Sequence, residues 1–537
     1  MPTFIDLFSG CGGFTLGMMR AGFKCLAAVD INRHAIETLR SNLQSISPTG
    51  IPPVGFALQA DLNELTPSKL AAVIATTNVD VIVGGPPCQG FSTARQRDGS
   101  NHGIERLKED PRRHLFRRFL EHVEFFQPKV FVIENVLGIR TAAGGRYFTA
   151  VQHESRMLGR EKGLPGYVVH GQIENADDLG VPQKRRRQLI IGVRADTPGY
   201  FPSTLKPTRR ATLGATLGDA ICDLPPLQPG EKTTEYDLRR RDREFLGGTR
   251  DRLRRRYLRC VAEVRRAKSL SNHIARPHSE RDLDDFRLLS EGESSATAMR
   301  RGVQFKFPYD KENFKDRYTR QHRNRPCSTI VAHLSKDGLM FIHPVQDRSL
   351  TPREAARVQS FPDWFVFPDA RTPAFIMIGN AVPPLVAEAV GLSIRRFLHR
   401  ADTVHVETGR NIPSIPLTRV DAAARLSVLL RCDRRRLRLL DNNTFIAGWH
   451  ALLWLLPHLH PDNARDLGGE TMESQDLARD LPCVGSGQRQ VFLRSGWPVA
   501  LNLVGTEAWR RFEAGTLSSK ALYCAYAQSA RLSADRN

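Results

Sequence analysis

Short apolar runs alternate with helical patterns across the first 195 residues, and that alternation restricts the fold more than any other feature. The runs at 3–8, 25–29, 80–83 and 130–133 are long enough for buried strands and too short for helices. Helix-like stretches such as 17–21, 33–42 and 115–126 separate them, and 189–193 offers one further strand. Parallel neighbours need a crossover connection, so strands that alternate with helices specify an α/β fold with a parallel sheet.

The first run ends in Asp6-Leu7-Phe8-Ser9-Gly10-Cys11-Gly12-Gly13-Phe14. A strand that enters a glycine-rich turn and then a helix lets the backbone approach a ligand closely, beside a helix N-terminus. Asp30 closes the second strand 20 residues after Gly10, where a ribose-binding carboxylate belongs. Thr15 stands where the third glycine of a dinucleotide fingerprint would be, which disfavours NAD and leaves an adenosine ligand without a pyrophosphate. A tight structural turn would leave the same trace.

Nine cysteines are scattered at 11, 25, 88, 222, 260, 327, 432, 483 and 524. No CxxC pair or Cys/His cluster at zinc spacing occurs, so neither a disulfide framework nor a metal site is expected. Cys88 lies in Gly84-Gly85-Pro86-Pro87-Cys88-Gln89-Gly90-Phe91-Ser92, directly after a strand. Most lone cysteines are inert core residues. A thiol between a rigid double proline and a glutamine, at the carboxyl end of a strand, is better placed as a nucleophile. The next strand ends in Glu134-Asn135-Val136, and its carboxyl group would enter the same crevice. Taken alone, Glu134 is as readily a solvated or capping residue.

Lys and Arg number 78 against 57 Asp and Glu, a formal charge of +21 that favours a polyanionic partner. The stretch 238–268 is intensely basic; a solvated helix face explains part of it, and a phosphate-facing surface explains more. Helical patterns return at 352–359 and 384–398 and give way to a polar linker at 401–416. The last 120 residues read as a separate, mainly helical unit, with amphipathic signals at 420–430 and 508–514. His458, His460 and Asp462 fall there as loop residues rather than metal ligands. No apolar run approaches the roughly 20 residues that span a bilayer. Residues 1–8 lack the basic lead and cleavage site of a signal peptide, so a cytoplasmic, nucleoid-associated protein without a membrane partner is expected.

Taken together these blocks resemble those of the DNA cytosine-5 methyltransferase family of bacterial restriction-modification systems, in the same order and at compatible spacing. Gln183-Lys184-Arg185-Arg186-Arg187 resembles the family's Gln-x-Arg-x-Arg element. Leu350-Thr351-Pro352-Arg353-Glu354-Ala355-Ala356-Arg357, continuing to Gln359-Ser360-Phe361-Pro362, resembles the block that follows target recognition. Gly379-Asn380-Ala381-Val382-Pro383-Pro384 resembles the closing cofactor block, and the likeness covers residues 3–398. The resemblance implies a Rossmann-like S-adenosylmethionine-dependent methyltransferase. Residues 1–197 and 346–400 would form its catalytic domain, 198–345 its target-recognition domain and 401–537 an accessory region.

Cytosine C5 is a poor nucleophile until a thiolate adds at C6, which turns C5 into an enamine-like carbon. The resemblance implies that Cys88 supplies the thiolate, Glu134 meets N3 and Arg187 meets O2. Arg185 and Arg187 would provide the positive surroundings that favour a thiolate. S-adenosyl-L-methionine is implied against Phe8, Gly10, Gly12 and Pro87. Its ribose would rest on Asp30, its adenine amine on Asp61 and its methionine side on Asn380 and Val382. Double-stranded DNA is the implied partner, with the target base flipped out of the stack. A cognate restriction endonuclease or another defence component is the expected setting. Two alternatives stay open at this point, a tRNA cytosine-5 methyltransferase and a catalytically silent DNA-binding regulator. The long basic insertion between Gln183 and Leu350 favours DNA, and the filled catalytic positions favour an enzyme.

Overall fold

The apolar runs form one seven-stranded sheet in the computed structural model, which describes residues 1–46, 56–87, 115–141, 145–197, 201, 205–236, 248–267, 269–307, 318–336 and 338–408. The strands are β1 (Thr3–Leu7), β2 (Lys24–Asp30), β3 (Ala57–Gln59), β4 (Val81–Gly84), β5 (Val130–Val136), β6 (Tyr167–Asn175) and β7 (Arg186–Arg194), in the order β3-β2-β1-β4-β5-β7-β6. β1 pairs in parallel with β2 and β4, β2 with β3, and β4 with β5. β4 is buried throughout and β5 through six of its seven residues, as a parallel sheet covered on both faces requires. β3 and β6 went unread because one has three residues and the other mixes polar and apolar positions along Tyr-Val-Val-His-Gly-Gln-Ile-Glu-Asn.

The helices of the first half are α1 (Gly13–Arg20), α2 (Arg33–Ile46), α3 (Pro67–Ile74), α4 (Leu115–Phe126) and α5 (Arg146–Met157). α1 begins four residues ahead of the expected 17–21, because Gly12, at φ 89°, turns the chain straight into the helix. The basic middle of the chain holds α6 (Leu217–Ile221), a two-stranded ribbon of β8 (Lys232–Thr233) and β9 (His273–Ile274), α7 (Gly248–Cys260), α8 (Glu280–Arg287) and α9 (Ser295–Arg300). The return segment supplies α10 (Pro352–Val358), α11 (Arg371–Asn380) and α12 (Pro384–Thr408).

Local chemistry explains where α10 starts. Pro352 occupies its first turn, Thr351 Oγ1 accepts from Glu354 N at 3.2 Å, and Glu354 Oε2 accepts from Thr351 N at 2.7 Å, a complete capping box. α12 runs to Thr408, so residues 401–408 continue a helix where a linker was expected. The helices expected at 420–430 and 508–514, and His458, His460 and Asp462, lie outside the described residues.

α1 and α12 lie in near backbone contact. A Cβ on Gly17 would stand 2.3 Å from Ala387 Cβ, and one on Gly391 would stand 2.6 Å from Ala21 Cβ. The stretch Arg371–His399 is long and apolar enough to cross a bilayer, yet 78 % of its most apolar window is buried inside the fold, as in a core. The chain divides into two compact units. One comprises Met1–Ala150, Gly171–Ile191 and Ser203–Arg395 and carries the site described below. In the other (Val151–His170, Gly192–Pro202 and Arg396–Asn537), Phe201 and Phe397 pack with ring centroids 6.2 Å apart.

Candidate active site

Strand register brings the motif residues to one level. Leu7 pairs with both Val29 and Gly84, and Gly84 pairs with Ile133. The next residue along each strand is therefore Phe8, Asp30, Gly85 or Glu134, all at the carboxyl edge. Asp30 pairs in turn with Gln59, two residues before Asp61. β2 and β3 lie on one side of β1 and β4 and β5 on the other, so the strand order reverses between β1 and β4. The crevice outside such a reversal is where open α/β sheets bind ligands.

The loop after β1 is strained and open. Phe8 adopts φ 60°, a left-handed conformation that costs a bulky residue roughly 1–3 kcal/mol and persists only where its surroundings enforce it. Ser9 N donates to Val29 O at 3.0 Å, and Gly10 N donates to Asp30 Oδ2 at 2.8 Å. Asp30 Oδ1 accepts from Asn32 N at 2.8 Å; burial raises the Asp30 pKa, and the N–H groups of Asn32 and Gly10 oppose that rise. Among the described residues no atom lies within 4 Å of where a Gly10 Cβ would be. A Cβ on Gly12 would instead stand 2.5 Å from Leu39 Cδ1, and one on Gly13 would stand 2.3 Å from Val382 O. The closing block thus presses its backbone onto the first glycine loop, with Val382 half-buried and Asn380 exposed. Asp61 is half-buried and accepts from Asn63 N at 2.8 Å and Asn63 Nδ2 at 3.0 Å, so it already stabilises its own turn.

Ile31 was missed. It follows Asp30 directly and is 65 % exposed, an apolar side chain standing beside the strand-ending carboxylate. The available signal was a branched apolar residue just past a strand-ending acid, where a turn would ordinarily be polar.

The other wall carries the charged pair. Arg187 Nε lies 3.1 Å from Glu134 Oε1, with little of either side chain exposed. That oxygen is buried and has no aligned hydrogen bond among the described residues, the kind of unsatisfied group that points to a function. A Cβ on Gly85 would stand 3.6 Å from Glu134 Oε2, so the Gly-Gly-Pro-Pro loop runs beside the carboxylate. Asn135 Nδ2 donates to Pro86 O at 3.3 Å and fixes that loop, which continues through Pro87 to Cys88. Cys88 itself lies outside the described residues.

Alternation along the Gln-x-Arg-x-Arg element separates its roles. Lys184 and Arg186 are exposed, whereas Gln183 and Arg185 are buried. Gln183 Nε2 donates to Gln359 Oε1 at 2.6 Å, and Ile330 N donates to Gln183 Oε1 at 3.0 Å. Arg185 donates to three carbonyls, Ile330 O at 2.9 Å, Ala381 O at 3.0 Å and Gly379 O at 3.3 Å. Its guanidinium therefore fastens the closing block, while Arg187 is the member that reaches Glu134.

Beneath the loop, Asp6 is buried. Its Oδ2 accepts from Thr15 Oγ1 at 2.6 Å, while Oδ1 has no hydrogen-bond partner among the described residues. Burial pushes the Asp6 carboxyl up to about 7, against the Thr15 bond and with help from the charge of Asp30. Burial likewise pushes the Cys11 thiol up to about 12 and raises Cys25 and Cys327, so these three stay protonated.

A glycine loop and a carboxylate–guanidinium pair at the same carboxyl edge, on either side of the reversal point of the sheet, mark an α/β enzyme site. Residues 2–396 match the family of C-5 cytosine-specific DNA methylases, and the chain belongs to it. The enzyme is therefore a DNA (cytosine-5-)-methyltransferase. It is similar to the type II methyltransferase M.DdeI of Desulfomicrobium norvegicum, 32 % identical over 75 % of this chain and 90 % of that protein. It is also similar to the type II methyltransferase M1.HphI of Haemophilus parahaemolyticus, 33 % identical over 73 % of this chain and 86 % of that one. A crystal structure described as a DNA modification methyltransferase encoded within an Escherichia coli prophage matches 74 % of this chain and all of its own, with 27 % identity and a TM-score of 0.54.

Proposed function

We propose that this enzyme methylates C5 of a flipped-out cytosine within a specific duplex sequence, through a covalent bond between Cys88 and C6. The observation that carries the reading is the Glu134–Arg187 pair, 3.1 Å apart, beside the Gly85–Pro87 loop that leads into Cys88. The Cys88 thiolate forms the S–C6 bond, and the ring's displaced electron density moves toward N3 and O2. Glu134 shares a proton with N3 and Arg187 holds O2, so an entering cytosine edge takes over the two partners now facing each other. C5 would then take the methyl as its bond to the donor's sulfur breaks, leaving a neutral thioether; a base removes the C5 proton and the S–C6 bond breaks to release Cys88.

Features of the first wall support S-adenosyl-L-methionine as methyl donor. Phe8, Gly10 and Gly12 line it and Pro87 meets the donor from the other wall; Asp30 receives the ribose hydroxyls, Ile31 gives the adenine an apolar surface and Asp61 takes its amine, with Asn380 and Val382 on the methionine side. When bound, the donor supplies an electrophilic methyl on a positively charged sulfur. Arg185 is assigned a positioning role through the carbonyls it holds.

Residues 1–197 and 346–400 act as the catalytic domain, 198–345 as the target-recognition domain and 401–537 as an accessory region. A stacked base cannot reach Glu134, so the recognition domain must stabilise an extruded one, at an unstacking cost of a few kcal/mol. A cytoplasmic, nucleoid-associated setting with a cognate restriction endonuclease or another defence component fits this activity.

The test is to express the full chain and its Cys88→Ala variant in a methylation-free bacterial host and map 5-methylcytosine in host DNA. Methylation at one short motif, lost without the thiol, is the expected result. Unmethylated DNA from soluble, folded wild-type protein would overturn the reading.

A further inference from the structure

We propose that the exposed arginine face of α7 is a second contact for the DNA backbone, separate from the crevice that takes the target base. Arg252, Arg255, Arg256 and Arg259 recur at intervals of three and four, so at 3.6 residues per turn they share one face, and all four are exposed. The opposite face is anchored. Tyr257 and Leu258 are buried, and Tyr257 Oη donates to Arg357 O at 2.5 Å, so the helix cannot roll its arginines inward. Arg256 Nη2 donates to Arg209 O at 2.7 Å and its Nε to Ala211 O at 3.1 Å, which extends the surface to exposed Arg209, with exposed Lys206 just before it.

Among the described residues, Arg209, Arg252 and Arg259 keep their charge without a local carboxylate. Glu263, just past the helix, is already shared between Arg20, Arg210 at 3.1 Å and Arg266 at 2.7 Å, and it accepts from Trp364 Nε1 at 2.8 Å. A solvated face would ordinarily intersperse both signs.

The same contacts locate the surface. α1 starts at Gly13 beside the crevice and ends at Arg20, about 10 Å further along its axis. The Arg20–Glu263 pair therefore holds the end of α7 on the flank of the sheet, away from the carboxyl edge. Arg252 to Arg259 also spans about 10 Å, against one duplex charge per roughly 1.7 Å, so several phosphates fit along it. Guanidinium groups suit phosphate oxygens because their paired N–H donors match them. The inference rests on DNA being the polyanion that this enzyme serves.

The test uses the full chain carrying Arg209→Gln, Arg252→Gln and Arg259→Gln together. Binding to a long duplex of dA·dT pairs, which offers no cytosine, is measured against salt concentration. The logarithmic salt slope should fall by about 2.7, at roughly 0.9 for each lost phosphate contact, with the melting temperature unchanged. An unchanged slope overturns the proposal, as does a loss confined to RNA binding. Should the triple variant fold poorly, Arg252→Gln alone must still lower the slope by about 0.9. A wild-type enzyme that fails to methylate DNA would defeat the catalytic reading, while the salt slope would still decide this one.

Discussion

Arg353 and Arg357 of α10 are fully buried, and so is Asp6 near the end of β1, but the fold treats these charges differently. Arg357 donates to Asp223 Oδ1 at 2.5 Å, to both oxygens of Asp363 at 2.8 and 2.7 Å and to Ala220 O at 2.9 Å. Arg353 reaches the carbonyls of Ser271, Pro362 and Phe365, and Arg348 grips both oxygens of Glu354 at 2.9 and 2.7 Å. Burial would raise the Glu354 and Asp363 carboxyls, yet Arg348 and Arg357 outweigh it and hold both below the usual range. Among the described residues Asp6 has a hydroxyl partner, no paired cation and an unmatched oxygen. Nearby stand the left-handed Phe8 and the loosely aligned Glu134. Matched charge makes the return segment a rigid support; unmatched charge and strain gather where a ligand must be received.

The sharpest way to break this contrast is Arg357→Ala. It leaves Asp223 buried without its cation and Asp363 with only Arg353, 3.8 Å away, a class of change that costs roughly 3–5 kcal/mol. Denaturant unfolding should show that loss, and a variant of near wild-type stability would mean the network is not the support described. Arg357→Lys keeps the charge but not the fork and should lose less.

Asp6→Asn should act in the opposite direction and only at higher pH. The folded carboxyl titrates at about 7, while an unfolded aspartate titrates near 3.9. Between those values the folded chain keeps a proton that the unfolded chain has lost, so wild-type stability falls as pH rises through that window. Asparagine removes the penalty and can still accept from Thr15. The variant should gain on the order of 2–4 kcal/mol at pH 7.5 relative to its difference at pH 4, read from melting curves at both. A stability difference that does not change with pH would show that Asp6 is not held neutral. Thr15→Val, which strips the hydroxyl partner from Asp6, should cost roughly 1–2 kcal/mol below pH 7 by the same measurement.

Much of the site was legible before the fold. Asp30 and Glu134 end apolar runs, and ends of parallel strands share an edge, so their placement follows from pattern alone. Pattern alone did not separate Arg185 from Arg187; only the resemblance gave Arg187 the O2 contact. Both belong to one element, and only the carbonyls of Ile330, Gly379 and Ala381, brought from 145 to 196 residues away, turn Arg185 into a fastening. The same distance hid the reason for Gly13, which is the Val382 carbonyl lying against it. The basic run at 238–268 declared its charge but not its direction, because facing depends on Tyr257 meeting α10. Asp6 gave no signal, since an unmatched oxygen is a property of its surroundings.

Ile31→Ala tests the receiving side with the smallest expected effect. Ile31 is 65 % exposed, so truncation creates no cavity and stability should stay within about 0.5 kcal/mol of wild type. If the side chain covers one face of an adenine, it loses part of the burial worth roughly 1.5–3 kcal/mol for a whole apolar side chain. Affinity for S-adenosylmethionine should then fall about fivefold, near 1 kcal/mol, with turnover at saturation unchanged because the contact is as strong before the transition state as in it. Titration of the donor by calorimetry, beside steady-state rates, separates the two quantities. A fall in saturated turnover with unchanged affinity would move Ile31 from the cofactor wall to the path of the flipped base.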